Sequence, residues 1–267
     1  MERYRLKNII ILILVLVNLS LLSSLLYSQK EKHGILRRTE DELVQLFAAS
    51  DITLARSAIS WDTPPASISM SRSSDQEREL AQLLLGSPFR ETSQGGINTY
   101  YSGNGTLQIR SNGSYEATLF HFSTDTAEFL KSFSSAFSYS EPIFSLDEDG
   151  TGSASLTCLY ENRPVYNAGA QLVLTEGKIT SVSGTLLPKI GSLLGETEPL
   201  SCSAALTTFL QMRLTEGTVG SSILSTHLCY EFQSTPASAI SLSSAWCIET
   251  DVATYYVNAS TGTITVG

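Results

Sequence analysis

Histidine is scarce in this chain, with three in 267 residues, at positions 33, 121 and 227. No CxxC or HExxH spacing accompanies them, and no GxSxG elbow, Walker loop or GxGxxG turn occurs. Those absences remove the sequence signatures of zinc proteolysis, serine hydrolysis, phosphate cradling and dinucleotide binding. Positive charge is also short, 17 Lys and Arg against 26 Asp and Glu. An acidic surface of that balance argues against nucleic acid as a partner. The expectation is a protein without enzymatic activity, cofactor or metal.

Long apolar runs are missing too, save one. Ile9 to Leu26 (IIILILVLVNLSLLSSLL) carries no charged side chain. At 1.5 Å rise per residue its eighteen residues reach about 27 Å, close to the hydrocarbon thickness of a bilayer. A lone segment in lipid must satisfy its own backbone, which predicts a single transmembrane helix over 9–28. The run exceeds a usual signal-peptide core, and Tyr27, Gln29 and Lys30 make a poor cleavage site. No cysteine follows closely, which excludes a bacterial lipoprotein signal. Setting aside Glu2 and the basic Arg3, Arg5 and Lys7, the remainder holds 25 acidic and 14 basic residues. This acidic, Ser/Thr-rich part suits an extracytoplasmic location, with residues 1–8 as a cytoplasmic tail of a single-pass cell-membrane protein. Within the span, Asn18 lies midway and Ser20, Ser24 and Ser28 repeat on one helix face. Small and polar residues at that spacing allow close helix contact inside the membrane.

Outside the span, period and punctuation predict an α+β domain built of two helix-plus-antiparallel-sheet units. Thr39 to Glu42 has the form of a capping box ahead of a helix bearing Leu43, Val44, Leu46 and Phe47. Segments 51–54 and 58–61 alternate like strands, so 29–61 reads as a juxtamembrane helix and first strands. Pro64, Pro65 and the Ser-rich stretch after them mark 62–74 as a linker. The first unit, 75–190, opens with a helix over Asp75–Leu85, capped by Ser74 or Asp75 and stopped by Gly86 and Pro88. Strands follow at 98–107 and 115–122 around the Asn112-Gly113 turn. Asp125 caps a helix lined by Phe129, Leu130, Phe133 and Phe137, and strands follow at 153–160, 170–175 and 178–186. The second unit, 191–267, has a helix near 203–214 and strands at 223–232, 243–249, 254–257 and 263–266. A helix followed by three or four strands thus occurs twice, from about 125 and from about 203.

Few residues remain as chemical candidates. His227, Cys229 and Glu231 alternate on one strand and share a face, a donor set zinc accepts, but without CxxC or HExxH spacing a polar strand face is the better reading. Ser145 to Gly150 resembles half a calcium loop, but position twelve is Leu156, and a solvated Asp-Gly turn is the better reading. Cys158, Cys202, Cys229 and Cys247 are even in number. A hairpin centred near Ala237-Ser238 sets Cys229 opposite Cys247, giving one disulfide and leaving Cys158 with Cys202. Four free thiols are the open alternative, since sequence does not reveal the redox compartment.

Three stretches resemble the YycI/YycH family, membrane-anchored auxiliary regulators of an essential cell-wall histidine kinase in Gram-positive bacteria. The first is the opening RLKNIIILILVLVNLSLL, a short basic tail leading into an Asn-containing anchor. The second is Tyr160-Glu161-Asn162-Arg163-Pro164-Val165-Tyr166, followed by QLVLTEGKITSVSGTLL. The third is Ala245-Trp246-Cys247-Ile248 with Tyr255-Tyr256-Val257-Asn258-Ala259-Ser260-Thr261-Gly262, an ending also similar to PepSY-type domains. The four cysteines and the Ser-rich surface depart from that pattern. The resemblance implies regulation of a two-component sensor histidine kinase through transmembrane contacts and extracytoplasmic domains. Its partners would be the membrane and the kinase, a sister anchored regulator or both, with the chain itself in a homodimer or heterodimer. An independent envelope-anchored PepSY-like module, holding a peptide, inhibitor or cell-wall ligand, is the alternative.

Overall fold

The structure, a computed structural model, describes residues 37–121, 125–194, 198–216, 220–234 and 240–267. Residues 9–28, with Asn18, Ser20, Ser24 and Ser28, lie outside the described residues. Among the described residues no helix is long and apolar enough to cross a membrane.

The architecture is α+β, and among the described residues fifteen strands join one branched sheet. In chain order come helix α1 (37–48), β1 (Thr53–Leu54), β2 (Ile68–Met70), α2 (Ser74–Leu85) and β3 (Arg90–Gln94). Next are β4 (Ile97–Ser102), β5 (Gly105–Arg110), β6 (Ser114–Leu119), α3 (Thr126–Phe137), β7 (Ile143–Leu146) and β8 (Gly152–Tyr160). Then follow β9 (Arg163–Thr175), β10 (Lys178–Thr185), β11 (Gly191–Leu193) and α4 (Cys202–Glu216). The chain closes with β12 (Ser222–Gln233), β13 (Ile240–Thr250), β14 (Thr254–Asn258) and β15 (Ile264–Val266).

Eight strands form an unbroken antiparallel run in the order β3-β4-β5-β6-β10-β9-β8-β7. Its hairpins are set by local chemistry. Gly113 (φ 83°) completes the turn after Asn112, and Glu176 and Gly177 (φ 52° and 74°) supply the left-handed pair joining β9 to β10. Alternation then buries one face. Leu107, Ile109, Tyr115, Ala117, Leu156, Leu172 and Val182 meet Leu80 and Leu84 of α2 and Phe129, Phe133 and Phe137 of α3. Each such side chain contributes about 1.5–3 kcal/mol on burial. Asp125 caps α3 by accepting bonds from Ala127 N and Glu128 N, both 3.0 Å.

A second apolar core lies between α1, α4 and strands β12 to β14. Leu43 and Phe47 meet Leu206, Phe209 and Leu210, with Trp246, Ile248 and Val257 from the sheet. Trp246 is fully buried, and its indole Nε1 donates to Leu200 O at 2.8 Å, so its polar atom is satisfied.

The expectation of two small separate sheets is corrected by a junction between them. Tyr230 of β12 pairs in parallel with Val165 of β9. Strand β2 pairs with both β13 and β11. The stretch 62–74, read as a linker, therefore contains a strand: Ile68 and Met70 are buried, and three alternating residues are too short to stand out from Ser-rich surroundings.

Smaller differences have local causes. Thr39 lies inside α1 rather than capping it. Segment 58–61 is not a strand, because Arg56–Ala58 forms a 3-10 turn. Helix α2 begins one residue early, with Ser73 as the cap. Gly103 and Asn104 turn the chain between β4 and β5, which divides the strand predicted over 98–107.

Candidate functional site

Two places gather features that packing does not consume. The first is an end of the eight-strand run. Among the described residues β7 pairs only with β8, so its outer edge offers unmatched backbone groups. Its apolar residues are also open to solvent: Ile143 is 72% exposed, Phe144 49% and Leu146 43%. Beside it runs a groove of about 690 Å³, lined by Leu130, Lys131 and Ser135 of α3, by Tyr139 and Glu141, and by Phe144. The wall is rigid. Tyr139 stacks on Phe133 at 4.9 Å, shares a hydroxyl contact of 3.1 Å with Tyr115, and donates to Thr185 O at 2.7 Å. Burial pushes the Tyr139 hydroxyl far above its usual range, so it remains a neutral donor. Sequence reading missed β7, since Ile-Phe-Ser-Leu shows no alternation. The available signal was Pro142 before it and the Asp-Gly turn after it.

The second place is the face of β12–β14 turned away from α4. Antiparallel register sets His227 opposite Cys247 and Cys229 opposite Ala245. Tyr166 stacks on Tyr256 over this face, with ring centres 3.8 Å apart. The expected opposition of Cys229 and Cys247 is thus corrected by two residues, because the hairpin centres on 237. The two thiols are diagonal on one face, and all four cysteines are free and buried. Cys158 bonds Thr185 O at 3.4 Å in the first core, whereas Cys202 lies 3.3 Å from Thr226 Oγ1 in the second. Separate cores keep that other pair apart.

Burial holds these thiols protonated. Desolvation, then the Glu249 charge, pushes Cys247 up to about 12; burial likewise raises Cys158, Cys202 and Cys229. A thiol is a nucleophile only as thiolate, so at neutral pH none of the four is activated.

The metal-type trio also regroups. Glu231 is drawn away, accepting from Asn258 Nδ2 and from Gln233 Nε2 at 3.2 Å. His227 instead meets Cys247 and Glu249, with ligand atoms all within 4.8 Å of one another. Directly opposed residues lie closer across a sheet than i and i+2 along one strand, and the opposing partner is invisible without the register. His33 lies outside the described residues, and His121 is exposed beyond the end of β6. The acidic stretch after β7 is a turn, with Gly150 at φ 78° and Thr151 N bonded to Asp149 Oδ1 at 2.9 Å.

No family model and no curated protein matches this chain. Solved structures similar to it include an uncharacterized protein from Eubacterium rectale ATCC 33656, at 13% identity and TM-score 0.45, covering 80% of this chain and 89% of that one. The Bacillus megaterium YpeB C-terminal domain is similar at 13% identity and TM-score 0.36, over 74% of this chain and 98% of that domain. YycH from Bacillus subtilis is similar at 13% identity and TM-score 0.34, over 76% of this chain and 53% of YycH. At these identities and TM-scores none of the three assigns the chain a family or an activity.

Proposed function

We propose that this chain is a non-enzymatic, membrane-anchored regulator of a two-component sensor histidine kinase, with an extracytoplasmic docking domain. Residues 1–8 form the cytoplasmic tail and 9–28 the anchor, whose Asn18, Ser20, Ser24 and Ser28 face a partner helix. The domain takes an extended segment of the kinase, or of a sister anchored regulator, onto β7. The observation that carries this reading is the apolar β7 edge, unpaired among the described residues, beside the α3 groove. Strand addition at such an edge draws affinity from main-chain hydrogen bonds and specificity from side chains entering the neighbouring groove.

In-cell crosslinking of the full chain tests both surfaces, with a photoreactive residue at Ser20 in one variant and at Ser135 in another. A histidine kinase or sister regulator in both adducts supports the proposal. Neither position capturing it would refute the regulatory reading. Because the groove lies wholly within the domain, binding that needs no anchor is the second reading, an envelope module for a peptide or cell-wall ligand. Capture of envelope material at Ser135, with lipid alone at Ser20 and an interchangeable anchor, would select it.

A further inference from the structure

We propose that His227, Cys247 and Glu249 form a divalent transition-metal site, suited by its donors to Zn²⁺. The three side chains come from two adjacent strands. His227 and Cys247 are directly opposed, and Glu249 follows two residues on along the same face. Their ligand atoms lie within 4.8 Å of one another. A tetrahedral ion with bonds of about 2.0–2.3 Å spaces its ligands by roughly 3.3–3.8 Å, so binding requires the set to tighten by roughly 1 Å.

Three further features suit a ligand set. The carboxylate is oriented: Ser225 Oγ, opposite it on β12, donates to Glu249 Oε2 at 2.6 Å, the kind of outer contact that holds a metal ligand in position. Neither the His227 ring nor the Cys247 thiol has a hydrogen-bond partner among the described residues, although the thiol is buried and the ring half-buried. Coordination would give both groups a partner. Access is present as well, since His227 and Glu249 are only partly covered.

Imidazole nitrogen, thiolate sulfur and carboxylate oxygen together favour zinc over the hard cations calcium and magnesium. Three protein ligands leave a fourth position for water. Binding replaces the thiol proton, which passes to solvent, and ties β12 to β13 through their side chains. The site is independent of the β7 edge.

Cobalt(II), which takes zinc sites and reports thiolate ligation by colour, is the probe. Reduced full-length protein in detergent is titrated with Co²⁺ and then with Zn²⁺. One equivalent of Co²⁺ should produce a thiolate-to-cobalt charge-transfer band that Zn²⁺ abolishes. The band should vanish in Cys247→Ser and persist in Cys229→Ser, while His227→Gln should weaken binding at least tenfold. If Cys247→Ser does not fold, Glu249→Gln serves, with unchanged circular dichroism and at least tenfold weaker binding expected. Absence of the band in the native chain, its loss in Cys229→Ser, or unchanged affinity in both His227→Gln and Glu249→Gln would overturn the site.

Discussion

The two ends of the eight-strand run, β3 and β7, face the same physical problem and answer it oppositely. Both are edges whose backbone could pair with another chain. At β3 the edge is polar throughout (Arg90, Glu91, Thr92, Ser93, Gln94), and Arg78 reaches across from α2 to Glu91 at 3.0 Å. Behind it lies a buried polar cluster. Glu77, only 1% exposed, pairs with Arg72, accepts from Asn98 Nδ2 at 2.7 Å and contacts the Tyr100 hydroxyl at 3.4 Å. At β7 no such guard exists among the described residues. Apolar side chains stand in solvent beside an open groove. The contrast teaches that one sheet can guard one edge with polar, paired side chains and leave the other apolar and open; under the proposed function the open edge is the docking edge.

Breaking the guarded end should have the largest effect. Glu77→Ala leaves Asn98 Nδ2 and the buried Tyr100 hydroxyl short of an acceptor, and should cost about 1–3 kcal/mol. Urea unfolding followed by circular dichroism measures it; a loss under 1 kcal/mol would show that the cluster is not what secures β3. Phe144→Asp should do the reverse at the open end. Stability should change by about 0.5 kcal/mol or less, as for exposed positions, while partner capture from Ser135 falls at least about tenfold, near 1.4 kcal/mol. Undiminished capture would remove β7 from the interface.

Alkali sharpens the comparison further. Burial, followed by the charges of Glu77 and Glu91, pushes the Tyr100 hydroxyl up to about 12, against about 10 for an unfolded tyrosine. Between those values the folded state holds the extra proton, so stability falls as pH rises. The contribution is intact below pH 10 and lost toward pH 12. Tyr100→Phe should therefore show a shallower decline than the native chain, read from unfolding midpoints at pH 9 and pH 11; parallel declines would exclude Tyr100 as the cause. The smallest effect belongs to the surface. Arg78→Ala removes an exposed ion pair and should leave the unfolding midpoint almost unmoved, with any difference shrinking further at high salt.

Legibility in the sequence followed the range of the interaction. Helix α3 was readable because Asp125 caps it and Phe129, Phe133 and Phe137 recur on one face. The β9–β10 hairpin was readable from Glu176-Gly177 and the alternation on either side. Strand β2 was not, since three residues become a strand only because β13 and β11 lie on both sides. The site residues divide in the same way. His227 was singled out from its own strand, but Glu249 was not, and Cys229 was matched to the wrong neighbour. A two-residue error in register keeps every side chain on its correct face and changes only its partner.

What the sequence by itself determined, then, is what acts within a few residues. That comprises turn glycines, caps, hydrophobic period, the α+β class and the charge-free run of 9–26. Tertiary structure alone decided which strands share an edge and which edge stays open. It also decided which thiol meets which histidine, because those contacts join residues far apart in the chain and depend on how the sheet closes around its two cores.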